Sequence, residues 1–209
     1  MPIITISGSF GAGGSAVATE IAQRLGWELF DRAIPLEVAQ RLSIPLQEAL
    51  LHDERREHGL AAVFSQLGLP MVPLAGMPVA VEVLDDAVYK RETEAVIRSL
   101  ADPLRKAVVL GRGAALILRD EPSALHVRLD GPPQSRIRQA MRALDLTERE
   151  AAEALRITDA ARAAYMRHFY GADWADPRHY HLVVDSTAIS TDCCLELILA
   201  AGRDRFGGL

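Results

Sequence analysis

Ile3-Ile4-Thr5-Ile6-Ser7-Gly8-Ser9-Phe10-Gly11-Ala12-Gly13-Gly14-Ser15 carries the reading that decides the fold. Residues 3–7 are a short apolar, β-branched run, which predicts a buried strand. Gly8, Gly11, Gly13 and Gly14 crowd the positions that follow. Beyond Ser15 the apolar residues fall at Val17, Ile21, Ala22 and Leu25, a helical spacing that stops at Gly26. Strand, glycine loop and helix, in that order, are the setting of a phosphate-binding loop. Glycines let main-chain N–H groups approach phosphate oxygens with no Cβ in the way, and the helix N-terminus adds the positive end of its dipole. Against the pattern G-x-x-x-x-G-K-[S/T], Gly8, Gly13 and Ser15 match, and Gly14 stands where the lysine would be. Ser15 takes the place of the hydroxyl that holds Mg²⁺. The competing reading is a tight strand-to-helix turn whose glycines serve geometry alone. The strand before it, the helix after it and the serine favour phosphate.

Working outward, 209 residues make a single domain, 1–209, with room for insertions. Hydrophobic residues at 49% and charged ones at 24% are ordinary for a globular protein with a proper core. A net charge of −5 argues against a broad basic surface for nucleic acid. No basic segment precedes an apolar run at the N-terminus, and no apolar stretch is long enough to span a bilayer. The expectation is a cytoplasmic protein whose partners are small molecules, not nucleic acid or membrane. Cys193 and Cys194 are adjacent on an expected helix, so they suit neither a bridge nor a C-x-x-C pair and read as small core residues.

A short strand at 28–30 ends in Asp31-Arg32, a carboxylate and a guanidinium where ligands bind in open α/β sheets. The pattern is helical from 33 to 66, with a solvated charge run from His52 to His58. Residues 67–80, with Pro70, Pro73 and Pro78, form an apolar loop that suits either a mobile cover or a contact in a homo-oligomer. Helical spacing resumes over 82–101. Ala107 to Leu110 is a second clear buried strand, and Gly111-Arg112-Gly113 after it places an arginine for a ligand crevice or for a plain surface turn. A strand over 125–129 leads into an arginine-rich helix from Ser135 with a break near Asp145. Thr147 and Glu150 then make a capping box. Asp159, Arg162 and Tyr165 share one helix side. A last strand at 182–184 and a helix at 191–201 follow. His179 and His181 read as edge or core residues, not metal ligands. Strands alternating with helices predict a parallel sheet covered on both faces.

With these motifs in place, the chain resembles the cytidylate kinase-like family of P-loop nucleoside monophosphate kinases. The likeness runs along nearly the whole length. It rests on Ile-Thr-Ile-Ser with Gly-Ala-Gly-Gly-Ser, Leu-Phe-Asp-Arg at 29–32 and Val-Leu-Gly-Arg-Gly at 109–113. Further matches are Ser-Arg-Ile-Arg at 135–138, Asp-Ala-Ala-Arg-Ala-Ala-Tyr at 159–165, and Phe-Tyr-Gly-Ala-Asp-Trp-Ala-Asp-Pro through Tyr180. The resemblance implies a three-layer α/β P-loop kinase fold: a five-stranded parallel sheet with helices on both faces and a helical lid. It also implies a helical substrate-binding insertion over 32–104 and a lid region over 132–178. The implied reaction is ATP- and Mg²⁺-dependent phosphoryl transfer to a nucleoside monophosphate, CMP or dCMP first. Gly8, Ser9, Phe10, Gly11, Ala12, Gly13, Gly14 and Ser15 would bind ATP, with Ser15 also on the metal. Asp31, Arg32, Arg112 and Asp159 would bind the acceptor, and Arg136 and Arg162 would act on the transferring group. The chain departs from the family pattern at Gly14, at Leu110 in place of an acidic residue, and at Ala114 in place of the aspartate of Gly-Arg-Asp. These departures keep open a nucleotide-binding protein without kinase activity. A kinase for another small acceptor is the weaker third reading.

Overall fold

The computed structural model describes residues 2–31, 86–100 and 105–209. The helical stretch 33–66, the apolar loop 67–80, Arg32 and most of the expected insertion lie outside the described residues. Five strands, β1 (Ile3–Gly8), β2 (Glu28–Phe30), β3 (Ala107–Leu110), β4 (Ala124–Asp130) and β5 (Leu182–Asp185), form one sheet in the order β2-β3-β1-β4-β5. Every neighbouring pair is parallel. A parallel sheet must be covered on both faces, and β1 at its centre answers with Ile3, Ile4 and Ile6, each fully buried. One apolar layer joins Ile3, Phe30, Val109 and Ala114 to Val96, Ile97 and Leu100. The other joins Ile4, Ile6, Val108, Leu125 and Val127 to Val17, Ile21, Leu195 and Ile198.

The described helices are α1 (Gly14–Leu25), α2 (Asp86–Ser99), α3 (Ala114–Ile117), α4 (Pro133–Leu144), α5 (Glu148–Tyr170) and α6 (Thr191–Phe206). None is long and apolar enough to cross a membrane. Left-handed Gly13 and Gly26 bracket α1 at φ 73° and 63°, where glycine alone is unstrained. Asp145 at φ 54° makes the expected break after α4, and the Thr147–Glu150 capping box opens α5.

Some boundaries differ from the sequence reading. The last helix runs on to Phe206 because that ring packs beside Trp27, with centroids 6.4 Å apart, before left-handed Gly207 stops it. The short α3 had no periodicity to announce it. Cys194 is buried as expected, but Cys193 is exposed, since neighbours on a helix face different ways. His179 lies in a 3₁₀ turn (Pro177–His179), and His181 stacks on His126. Among the described residues no cluster suited to a metal occurs.

Chain order places the switch of direction at β1. The connection through α1 leads to β2 on one side, while β4 and β5 lie on the other. Crevices open at the carboxyl ends of strands at such a point.

Candidate functional site

A cleft of about 750 Å³ opens at that end, and all of residues 8–15 except Ala12 line it. Its floor is the glycine loop, whose carbonyls are gripped by side chains. Arg162 Nη1 donates to the Gly8 oxygen at 2.7 Å, Arg136 Nη1 to the Phe10 oxygen at 2.9 Å, and Ser186 Oγ to the Ala12 oxygen at 2.7 Å. The Phe10 N–H donates to Asp159 Oδ1 at 2.9 Å, so both sides of this residue are pinned by α4 and α5. The Phe10 ring is buried among Ile137, Ala140, Ala151 and Ala154. Gly11 passes so close to α4 that a Cβ there would collide with the Arg136 carbonyl.

While those carbonyls are taken by side chains, the N–H groups of Gly11, Gly13, Gly14, Ser15 and Ala16 donate to no protein group among the described residues. All five residues line the cleft, at the N-terminus of a 12-residue helix. Successive inward N–H groups at a helix dipole's positive end form an anion cradle.

Across the cleft, Gly111, Arg112 and Gly113 adopt φ of 70°, 58° and 69° in succession. The flanking glycines take this conformation freely; Arg112 is strained in it. Burial pushes the Arg112 guanidinium below its ordinary pKa, opposed by the Asp31 carboxylate and reinforced by the charge of Arg162. Two guanidiniums that repel one another across an open cleft, with a carboxylate beside them, favour an anion between them.

The structure therefore brings Asp31, Arg112, Arg162 and Ser15 to one cleft. Arg136 and Asp159 stand behind the loop. Arg136 is 6% exposed, bonds Asp159 Oδ2 at 2.6 Å and the Gly131 oxygen at 2.8 Å, and does not line the cleft. Gly14 sits in ordinary contact distance of apolar Leu110: a Cβ on it would lie 3.7 Å from Leu110 Cδ1.

Sequence reasoning missed Arg128. It is 3% exposed and donates to Ser9 Oγ at 3.1 Å, to Asp130 Oδ2 at 2.8 Å and to the Trp174 carbonyl at 3.0 Å. Burial raises the pKa of Asp130, but bonds from Ser9 and Arg128 outweigh it and hold the carboxyl below its ordinary value. The signal was present as polar residues at every second position, His126, Arg128 and Asp130, on one face of an interior strand. Trp174 and Tyr180 also line the cleft, as does Thr93 of α2.

Residues 3–188 match the model of the cytidylate kinase-like family. No curated protein matches the chain. Among solved structures, an uncharacterized protein from Eubacterium ventriosum superposes with a TM-score of 0.67 at 19% identity, covering 97% of this chain and 98% of that one. A gluconokinase from Sinorhizobium meliloti gives 0.53 at 16% identity, covering 98% and 93%. At such identities these likenesses speak for the fold alone, and the fold is that of P-loop kinases.

Proposed function

The chain belongs to the cytidylate kinase-like family, and from that premise we propose that it transfers a phosphoryl group from ATP to a nucleoside monophosphate, CMP or dCMP first. What supports the proposal is the set of uncommitted N–H groups of Gly11, Gly13, Gly14, Ser15 and Ala16, in a loop that lines one cleft with Arg112 and Asp31. Phosphoryl transfer asks little covalent chemistry of a protein; it asks for alignment and for neutralised charge. The loop binds the donor phosphates. The exposed Ser15 hydroxyl borders the cradle and would hold Mg²⁺, which when bound neutralises phosphate charge; this fits an ion carried by one hydroxyl and the substrate's oxygens. Arg112 and Asp31 receive the acceptor, together with Arg32. Arg162, already at the loop, acts on the transferring group. Arg136 and Asp159 serve this reading by holding the peptide groups of Phe10, which keeps the cradle formed before substrate arrives.

A coupled assay with ATP, Mg²⁺ and a panel of nucleoside monophosphates tests the proposal, and turnover highest with CMP or dCMP is the expected result. A second reading, nucleotide binding without transfer, is favoured by one observation. Gly14 stands where a loop lysine would, beside apolar Leu110, so the loop itself brings no side-chain cation to the donor phosphates. Mg-ATP bound by calorimetry, with no turnover for any acceptor, would select it.

A further inference from the structure

Arg128 ties two walls of the cleft together. Through Nη2 it holds Ser9 of the glycine loop; through Nη1 it holds the carbonyl of Trp174, a residue that also lines the cleft. The guanidinium lies over the indole, 4.4 Å from its centroid, and 5.7 Å from the Tyr180 centroid. Tyr180 in turn donates its hydroxyl to the Trp174 carbonyl at 2.7 Å. Arg128, 3% exposed, covers one face of the indole, and Trp174 is among the residues that line the cleft. Trp174 itself is half-buried.

An indole backed by an immobilised cation is a flat surface whose position is fixed before any ligand arrives. One guanidinium sets its distance from the phosphate cradle. A ligand anchored by phosphate can therefore lay a planar ring on Trp174, which describes a nucleotide and not a bare sugar phosphate. We propose that Trp174, held by Arg128 and flanked by Tyr180, is a stacking platform for the nucleobase of a bound nucleotide. This deepens the reading of the cleft as a nucleotide site and rests on it. Donor and acceptor both carry a base, so the experiment separates them.

The chain has two tryptophans, and Trp27 is 7% exposed in the core, so fluorescence quenched by ligand reports Trp174. CMP alone, Mg-ATP alone and ribose 5-phosphate alone are titrated into the wild-type protein. Quenching by one nucleotide and none by ribose 5-phosphate is the expected result, and it names the source of the base. Trp174→Ala should then weaken that nucleotide by about tenfold or more in calorimetry, since stacking tolerates any base but needs a ring. Trp174→Phe should recover most of the loss, which a merely structural role would not predict. Quenching without turnover leaves the platform standing and overturns the transfer reaction. Turnover with no quenching, quenching by ribose 5-phosphate equal to that by CMP, or unaltered affinity in Trp174→Ala overturns the platform alone. Neither binding nor turnover overturns both.

Discussion

At the scale of single residues, the glycines of the loop are not equivalent. Gly11 and Gly13 sit at φ 77° and 73°, and Gly11 has the Arg136 carbonyl against it, so a side chain at either position strains the loop. At Gly13 an added Cβ would also lie 3.0 Å from Gln139 Nε2. Gly13→Val should therefore abolish Mg-ATP binding in calorimetry, and unchanged binding would remove the loop from the donor site. Gly14 differs: no positive φ is imposed there and a Cβ meets only ordinary contacts. Gly14→Lys should fold with its Tm within about 3 °C of the parent and bind Mg-ATP about tenfold more tightly, because the new charge enters the cleft beside the cradle. Weaker binding would mean that Arg112 and Arg162 already saturate the site with positive charge. Arg112 presents the reverse case, a long side chain kept at φ 58°. Arg112→Gly relieves strain of about 1 kcal/mol and removes the guanidinium. Its Tm should not fall, while the acceptor KM rises about tenfold or more and Mg-ATP affinity stays within about twofold. A matching loss of ATP affinity would move this arginine to the donor side.

At the scale of elements, α5 is the working helix. Asp159, Arg162 and Tyr165 share a side by helical spacing, and that side reaches the loop and the cleft. Two neighbouring arginines then have separable tasks. Arg162→Ala should lower the single-turnover rate by roughly 10³-fold with Mg-ATP affinity almost unchanged, in keeping with arginines that stabilise the reacting phosphoryl group. Arg136→Ala should act first on stability. It leaves Asp159 beside the loop without its partner, at a cost of about 2–4 kcal/mol, with activity and ATP affinity falling together. A loss confined to kcat would return Arg136 to the chemistry. These elements were legible in the chain because each carries its own punctuation: Gly13 and Gly26 around α1, Asp145 after α4, Thr147 with Glu150 at the head of α5. What spacing could not reveal is the partner. By spacing alone, Asp159 and Arg162 equally suit an ion pair on a solvated helix face, since a sequence gives a helix's faces but not what stands opposite them. Arg128 poses the converse problem, a charge inside a strand whose partners Ser9 and Trp174 lie far away in sequence.

At the scale of the whole molecule, the cleft is built on one end of the sheet, and a pH-sensitive contact lies elsewhere in it. His126 of β4 is 2% exposed, with Nδ1 2.8 Å from Thr5 Oγ1 and Nε2 3.1 Å from the Leu118 carbonyl oxygen. The carbonyl can only accept, so Nε2 carries the proton and Nδ1 accepts from Thr5. His181 stacks on the ring with centroids 4.8 Å apart, and its Nδ1 accepts the His126 main-chain N–H at 2.9 Å. Burial first, then the charges of His181 and Arg205, push the His126 pKa down from 6.5 to about 4. The unfolded chain takes this proton at about pH 6.5 and the folded protein only near 4, so acidification favours unfolding across that window. Stability contributed by the neutral ring is complete above about pH 7 and falls by about 2 kcal/mol on descending to about pH 5. His181, also lowered by burial and Arg205, works in the same direction. Asp130 and Asp176 are carboxylates held below their ordinary values by hydrogen bonds, and they lose their contribution only at lower pH, as protons reach their depressed pKa values. The two classes are therefore separable in a denaturant series between about pH 7 and 5, the interval in which the unfolded chain protonates His126 but not yet Asp130 or Asp176. His126→Gln should be less stable at neutral pH, having lost a buried ring and at least one of its bonds, yet its stability should decline less over that interval than the parent's. An equal slope in both proteins would place the acid sensitivity of the fold somewhere other than β4.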